Sequence, residues 1–381
     1  MKKPDFMILL FALFVLFGTL FPAGMGGERI VRNPSEPLFG EIPFDLEEDL
    51  VLGSESDDQY MFYRIWDIKT DAENNIFVLD SGATRIQKYD KNGKLVQTIG
   101  RQGQGPGEFQ RPVELRLDKK GNLYVLEMAK VHMFDPAGKF VKSTKIPFFY
   151  MDLAADGKGN FIVTGRVTVE GAQNLGVLIL APDGHIQKKI AEFPGLPLHE
   201  TGTSISHGYS PQIESAPMSN EGIVYGYNLD YKFYIVDWSG QNVLTFEKDE
   251  PSKSISQKEK NKITSDLTKS LARAGLGWSD SMVEKMANLP EHRPYFDRIR
   301  VDDMGRIYVR RLKSVLDDSE ESTFDIFGND GHYLYTATLP FIPMCIDDGF
   351  LYHSSYDEET GQVMVIRYRI KNWDRMKSAI D

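Results

Sequence analysis

One cysteine among 381 residues, Cys345, rules out any internal disulfide. A chain of this length can still be held by its hydrophobic core alone. Cys345 lies in the apolar stretch FIPMCID with no catalytic partner in sequence, so it reads as a small buried hydrophobe. Positive charge is also scarce. Lys and Arg number 44 against 55 Asp and Glu, a net charge of −11. A surface of that sign repels phosphate backbones and anionic lipid, and no basic run reverses it, so nucleic-acid binding is not expected. Catalytic spacings are missing as well. There is no G-x-S-x-G nucleophile stretch, and the seven histidines form neither H-x-H nor H-E-x-x-H. His199, His207 and His292 fall in loops, His132 in a strand, and His353 at the start of a loop. His185 and His332 each follow a D-G turn, where they should face solvent.

Long apolar runs are absent except at the N-terminus, where Lys2 and Lys3 precede an apolar run from Phe6 to Phe21. That pattern reads as a secretory signal over residues 1–26, implying export to the periplasm or outside the cell. Gly24 and Gly26 offer small residues but no A-x-A triplet, so cleavage stays open. An uncleaved anchor is the alternative and would be the chain's one link to a membrane. Residues 27–40 read as a linker to the domain beyond.

What the sequence does contain is a repeat. IWDIKTDAENNIFVLDSGATRIQKYDKNGKLVQTIG, PVELRLDKKGNLYVLEMAKVHMFDPAGKFVKST and FYMDLAADGKGNFIVTGR followed by LGVLILAPDGHIQKK share one plan. Each has an apolar strand, an Asp-initiated turn, two more strands, then a second turn ending in glycine and a fourth strand. The closing glycines are Gly93, Gly138 and Gly184, 45 and 46 residues apart. Asp at the start and Gly at the end suit tight antiparallel hairpins. Three more degenerate units follow, and the last stops after its third strand. The missing strand is supplied by residues 50–52, because EEDLVLGSESDDQYMFYRIWDI imitates GKLVQTIGRQGQGPGEFQRPVEL. The expectation is an all-β, six-bladed β-propeller of four-stranded antiparallel blades over residues 41–381, closed by the N-terminal strand.

The run G-x-G-P-G-x-F-x-x-P, then D-x-x-G-N-x-Y-V and D-x-x-G-K, resembles NHL-type repeats. More closely the chain resembles bacterial envelope proteins described as six-bladed β-propellers. The resemblance covers residues from about 45 to 370, is strong in the first two blades, and weakens in blades four to six. It implies a fold and an exported location, and no particular reaction.

In such a fold TIGRQGQGPGEFQRP (98–112) is the crossing from one blade's outer strand to the next blade's inner strand, with Phe109 wedged between blades and Pro112 opening the strand. A phosphate loop would open a helix, and here a strand follows. The crossings and the second-to-third strand connections share a face, the top. RVTVEGAQNLG, FPGLPLHETGTSISHGYSP, RLKSVLDDSEES and a helical insertion over 251–294 all belong there. The insertion should hold one helix opened by the Ser256-x-x-Glu259 capping box and a second opened by Ser281-x-x-Glu284.

Aligning the inner strands on Asp71, Asp118, Asp156 and Asp302 puts Asp67, Glu114, Asp152 and Arg298 at one level. Lys69, Arg116, Ala154 and Arg300 stand two residues on. Alternation sends this set to the axial channel and sends Trp66, Val113 and Met151 between the blades. At the top mouth Arg64 and Arg111 are equivalent, with Tyr150, Tyr295 and Phe296 nearby. Two functions follow. The first is a monomeric binding module without cofactor. It would hold a protein, peptide or glycan of the cell envelope through the top face and the insertion, using Arg64, Arg111, Tyr150, Tyr295, Phe296, Arg298 and Arg300. The second is a metal-dependent hydrolase or lyase, comparable to propeller lactonases, with calcium on Asp67, Glu114 and Asp152. A solvated polar channel lining and plain packing aromatics are the bland counterparts of both.

Overall fold

The hairpin turns show how the repeat folds. Asp71 Oδ1 accepts the N–H groups of Glu73 and Asn75 at 3.0 and 2.9 Å, and Asn75 Nδ2 returns a bond to Asp71 Oδ2 at 2.8 Å. Asp118 with Lys120 and Asn122, and Asp156 with Lys158 and Asn160, repeat the arrangement. The carboxylate thus satisfies amides that no ladder reaches. Gly93, Gly138 and Gly184 close the second hairpins at φ of 85°, 75° and 92°, where a side chain would be strained.

The structure is a computed structural model that describes residues 29–53, 60–127, 129–146, 150–169, 172–197, 204–218 and 222–379. The signal sequence lies outside the described residues. Among the described residues six sheets, each built on four antiparallel strands, follow one another along the chain, and each runs inner strand to outer strand. The inner strands are Ile65–Thr70, Pro112–Leu117, Tyr150–Ala155, Ile213–Met218, Phe296–Val301 and Cys345–Asp347. Blade six takes its fourth strand from Leu46–Leu52, paired antiparallel with Val363–Ile370, so the first and last segments close the ring. Arg367 Nε donates to Asp49 Oδ2 at 2.6 Å across this seam.

The cores lie between neighbouring blades. Phe109 is fully buried, edge-on to Phe134 at 5.7 Å, and a Cβ at Gly100 would come within 2.1 Å of its ring. The crossing at 98–112 therefore packs as a wedge. Between blades four and five Phe233, Phe246, Phe296 and Phe327 form one aromatic cluster, each ring contributing about 1.5–3 kcal/mol by burial.

Several expectations need correction. Residues 30–33, inside the stretch read as a linker, form a strand that pairs in parallel with the outer strand of blade four, Asn242–Lys248, making that sheet five-stranded. Asn33 fixes it there, donating to Glu247 O and Gly331 O and accepting from Tyr333 N–H. The stretch 166–176, read as a loop, extends a hairpin ladder in blade three with Arg166 opposite Leu175 and Val167 opposite Asn174. His353 lies within the strand Phe350–Tyr356, stacked on Phe341 at 4.3 Å.

The helical insertion contains α1 (Gln257–Arg273) and α2 (Asp280–Ala287). The capping box of Ser256 and Glu259 is present. The second cap is Ser279 instead of Ser281, since Met282 N–H donates to Ser279 Oγ. Ile263 joins Tyr209 and Ile255 in a small core on the top face. Glu259 binds this assembly together: its Oε1 accepts from Tyr209 Oη at 2.8 Å, Ser314 Oγ at 2.8 Å and Arg293 Nη2 at 2.7 Å. Among the described residues no helix is long and apolar enough to cross a membrane.

Candidate functional site

Four inner strands carry a register shift at the same level, at Ile65/Asp67, Pro112/Glu114, Tyr150/Asp152 and Phe296/Arg298. One extra residue is accommodated at each shift, and such a bulge re-aims the side chains on its top side. Strict alternation places Trp66 between blades. In the structure it is 51% exposed and borders the axial cavity. Asp297 also borders this cavity, whereas half-buried Val113 touches its wall and still packs against the core between blades two and three. Below the shift alternation resumes, and Asp67, Glu114, Asp152, Arg116 and Arg300 point to the axis as expected.

There they form a charged layer. Arg116 is its centre, with Nη2 donating to Asp152 Oδ1 at 2.6 Å and pairing with Glu114, while Nη1 lies 3.4 Å from Asp67 Oδ2. Its remaining donors reach Leu153 O at 2.9 Å and Leu115 O at 3.1 Å, so the fork is filled. Asp67 also pairs with Lys69, and Asp152 Oδ2 accepts from Ser215 Oγ at 2.6 Å. Burial opposes ionisation of Asp67, and Lys69 and Arg116 outweigh it, holding its pKa below the usual range. Asp152 is held down likewise, by Arg116 against burial. Glu114 goes the other way: burial, despite Arg116 and with Asp152 and Asp67 close by, raises its pKa well above normal.

The layer separates two axial cavities. The upper one, about 360 Å³, opens toward the top face, and the lower one, about 520 Å³, toward the hairpin turns. Glu214 borders the upper cavity, its pKa raised to about 8 by burial. Facing it is Arg298, which makes no hydrogen bond or ion pair among the described residues and whose pKa falls to about 10, through burial and then through Arg300 and Arg310. Arg300 uses only Nη1, toward Ile299 O at 3.1 Å, and its buried Nε has no partner. Asp297 does not neutralise them, because Arg310 holds it in a two-pronged pair at 2.6 and 2.5 Å.

The other expected site residues part company. Phe296 is fully buried in the inter-blade core, 4.9 Å from Phe233, and half-buried Tyr295 packs edge-on to Tyr231 at 5.5 Å beside a small pocket away from the axis. The side chain of Tyr150 lies outside the described residues. Arg64 and Arg111 are exposed at equivalent places, their backbone N–H groups capped by Asp80 and Glu127. Arg111 borders a separate groove between the 98–112 crossing and blade two. The three carboxylates proposed for calcium do converge, but around a guanidinium. Arg116 fills the space a cation would need, and no group of three or more potential metal ligands occurs among the described residues. The donor set does not fit calcium. His132 is buried between Glu127 and Ser143, and His207 is tied to Ala287 O at 2.8 Å, so neither serves a metal. Cys345 borders the lower cavity, its thiol raised to about 11 by burial.

A ring of six four-stranded blades around a charged axial layer defines the class. The sequence profile of DUF5128, described as 6-bladed beta-propeller, matches residues 52–289, and the chain belongs to that family. No curated protein matches. Among solved structures, a protein from Bacteroides fragilis NCTC 9343 described as exported aligns with TM-score 0.54 and 15% identity over 90% of this chain and 99% of its own. That likeness shows the fold alone. A member of the duf4221 family from Bacteroides vulgatus aligns at TM-score 0.49 and 10% identity, over 86% and 98% of the two chains. Virginiamycin B lyase from Staphylococcus aureus aligns at TM-score 0.38 and 10% identity, over 79% and 80%. Neither similarity is close enough to inform on activity.

Proposed function

We propose that the chain is an exported binding module that takes a polar ligand, part of a glycan, peptide or protein of the cell envelope, in the upper axial cavity. The observation that carries this reading is the pair Arg298 and Arg300, whose guanidinium groups border a cavity and lack ion-pair partners among the described residues. Buried donors left unpaired cost free energy unless something binds them, and Arg116, which borders the same cavity, shows how completely the same fold satisfies a guanidinium when the role is structural. The exposed Trp66 ring at the rim adds an apolar face. The helical insertion widens the top face beside the cavity without bordering it. Export rests on the apolar N-terminal stretch behind Lys2 and Lys3. Arg116, paired with Asp67, Glu114 and Asp152, counts against the metal-dependent hydrolase or lyase alternative.

The test is binding of glycan and peptide arrays to the purified protein, repeated with Trp66→Ala. Ligands retained by the wild type and lost by the variant support the reading. Binding that survives Trp66→Ala but disappears on removal of residues 252–290 would move the site to the insertion.

A further inference from the structure

We infer that the ligand of the upper axial cavity is an acidic saccharide, a sugar ring bearing a carboxylate or sulfate group, with its oxyanion on Arg298 and Arg300 and its apolar ring face on Trp66. The inference rests on the binding-module reading and names its ligand class.

Charge accounting leads there. Arg116 and Lys69 are answered by Asp67 and Asp152, and Asp297 is answered by Arg310. Glu114 pairs with Arg116 as well, and Glu214, its pKa raised to about 8 by burial, keeps its proton near pH 7. Arg298 and Arg300 border the cavity with an unpaired Nε each and form no ion pair among the described residues, so their guanidinium groups are left to an incoming anion. Two guanidinium forks at one wall suit an oxyanion with several acceptor atoms. An inorganic anion alone would not account for the rest of the lining. The protonated carboxyl of Glu214 at the cavity offers both a donor and an acceptor, which is what sugar hydroxyls require. Trp66 offers the flat apolar surface on which the C–H face of a pyranose packs. A peptide would use the arginines equally well but would make less use of the protonated Glu214 and the flat Trp66 face.

Glu214 also sets a condition. It faces Arg298 and Arg300, with Asp152 and Asp297 also near it, and Arg310 adjoins Arg298. When it ionises, near pH 8, its carboxylate competes with the ligand's oxyanion for Arg298. Affinity should thus decline as pH rises through that value, and Glu214→Gln should remove the decline.

The experiment is calorimetric titration of the full chain with uronate oligosaccharides, sulfated oligosaccharides and their neutral counterparts, in wild type, Arg298→Gln and Arg300→Gln. The expected result is binding of an acidic series, about ten- to hundredfold weaker in either variant, the equivalent of losing one charged hydrogen-bonding group. Because Arg298 makes no internal hydrogen bond, Arg298→Gln should leave the melting temperature of the free protein unchanged or higher, which separates lost binding from misfolding. Whether the uronate or the sulfated series binds identifies the source of the oxyanion. Equal binding of neutral and acidic sugars overturns the inference and leaves the binding module standing. Binding of peptides alone does the same. If no saccharide and no peptide binds, both fall.

Discussion

Arg116 on the inner strand of blade two donates through Nη2 to Asp152 on that of blade three, at 2.6 Å, and the same guanidinium lies 3.4 Å from Asp67 of blade one. One side chain thus ties three blades at the axis. Its replacement by leucine would leave Asp67 and Asp152 buried without their shared cation. Removing one partner of a buried ion pair costs about 3–5 kcal/mol, much more than an exposed pair would. Arg116→Leu should lower the unfolding free energy by that order in urea titration. A loss under 1 kcal/mol would mean the layer is wet and its charges screened.

The same geometry predicts the response to chelation. Because a guanidinium stands where calcium would, EDTA should leave the melting temperature of the wild type unchanged. A tight site would instead lose several kcal/mol when its metal is stripped, by RT ln(1 + [L]/Kd). A downward shift on chelation, restored by calcium, would return Asp67, Glu114 and Asp152 to the status of ligands.

How much of this was readable beforehand depended on whether local chemistry or geometry decided the outcome. The blades were legible because Asp71, Asp118 and Asp156 and the glycines at 93, 138 and 184 each specify a turn by themselves. Closure by Leu46–Leu52 was legible from imitation of the next blade's crossing. Trp66 was misplaced because a bulge leaves no mark in the alternation it interrupts, and a shift of one residue exchanges the faces of everything beyond it. Phe296 was misassigned for the related reason that level along the strand says nothing of which side is packed. Convergence of Asp67, Glu114 and Asp152 was foreseen, but the choice between Arg116 and a metal at their centre depends on distances that spacing does not contain. The strand Ile30–Asn33 has no repeat partner to announce it, and its pairing with blade four spans more than 200 residues of sequence. Asp80 and Glu127, which cap the crossings, did leave a signal: each ends the second strand of its blade.

Glu214 gives the protein an unusual pH dependence. Its pKa is about 8 when folded against an ordinary 4.5, so between those values the folded state keeps a proton that the unfolded state has lost. Stability must then fall as pH rises through that window, by at most about 1.4 kcal/mol per pH unit from this one group. Glu214→Gln should flatten the slope of unfolding free energy against pH between 5 and 8 relative to wild type. Parallel slopes would show that the acid is ionised and solvated in the folded protein.

Glu259 works in the opposite sense and at a different place. Burial opposes its ionisation, yet bonds from Ser256, Ser314 and Tyr209 hold its pKa at about 2. Its contribution is present above pH 4.5 and is lost as pH falls toward 2. It is also the point where the α1–α2 insertion, the 204–210 crossing and the 312–316 connection meet, through Arg293, Tyr209 and Ser314. Glu259→Gln keeps the shape and removes the charge, at a cost of about 2–3 kcal/mol for charged hydrogen bonds to several donors. Because the insertion packs into a small core of its own on the top face, around Tyr209, Ile255 and Ile263 and separate from the inter-blade cores, that loss should appear first as local opening. Hydrogen exchange in the variant should accelerate across residues 256–290 while the inner strands around Arg116 stay protected, and acidifying the wild type toward pH 3 should reproduce the pattern. Uniform acceleration over all six blades would mean instead that the insertion and the ring unfold as one unit.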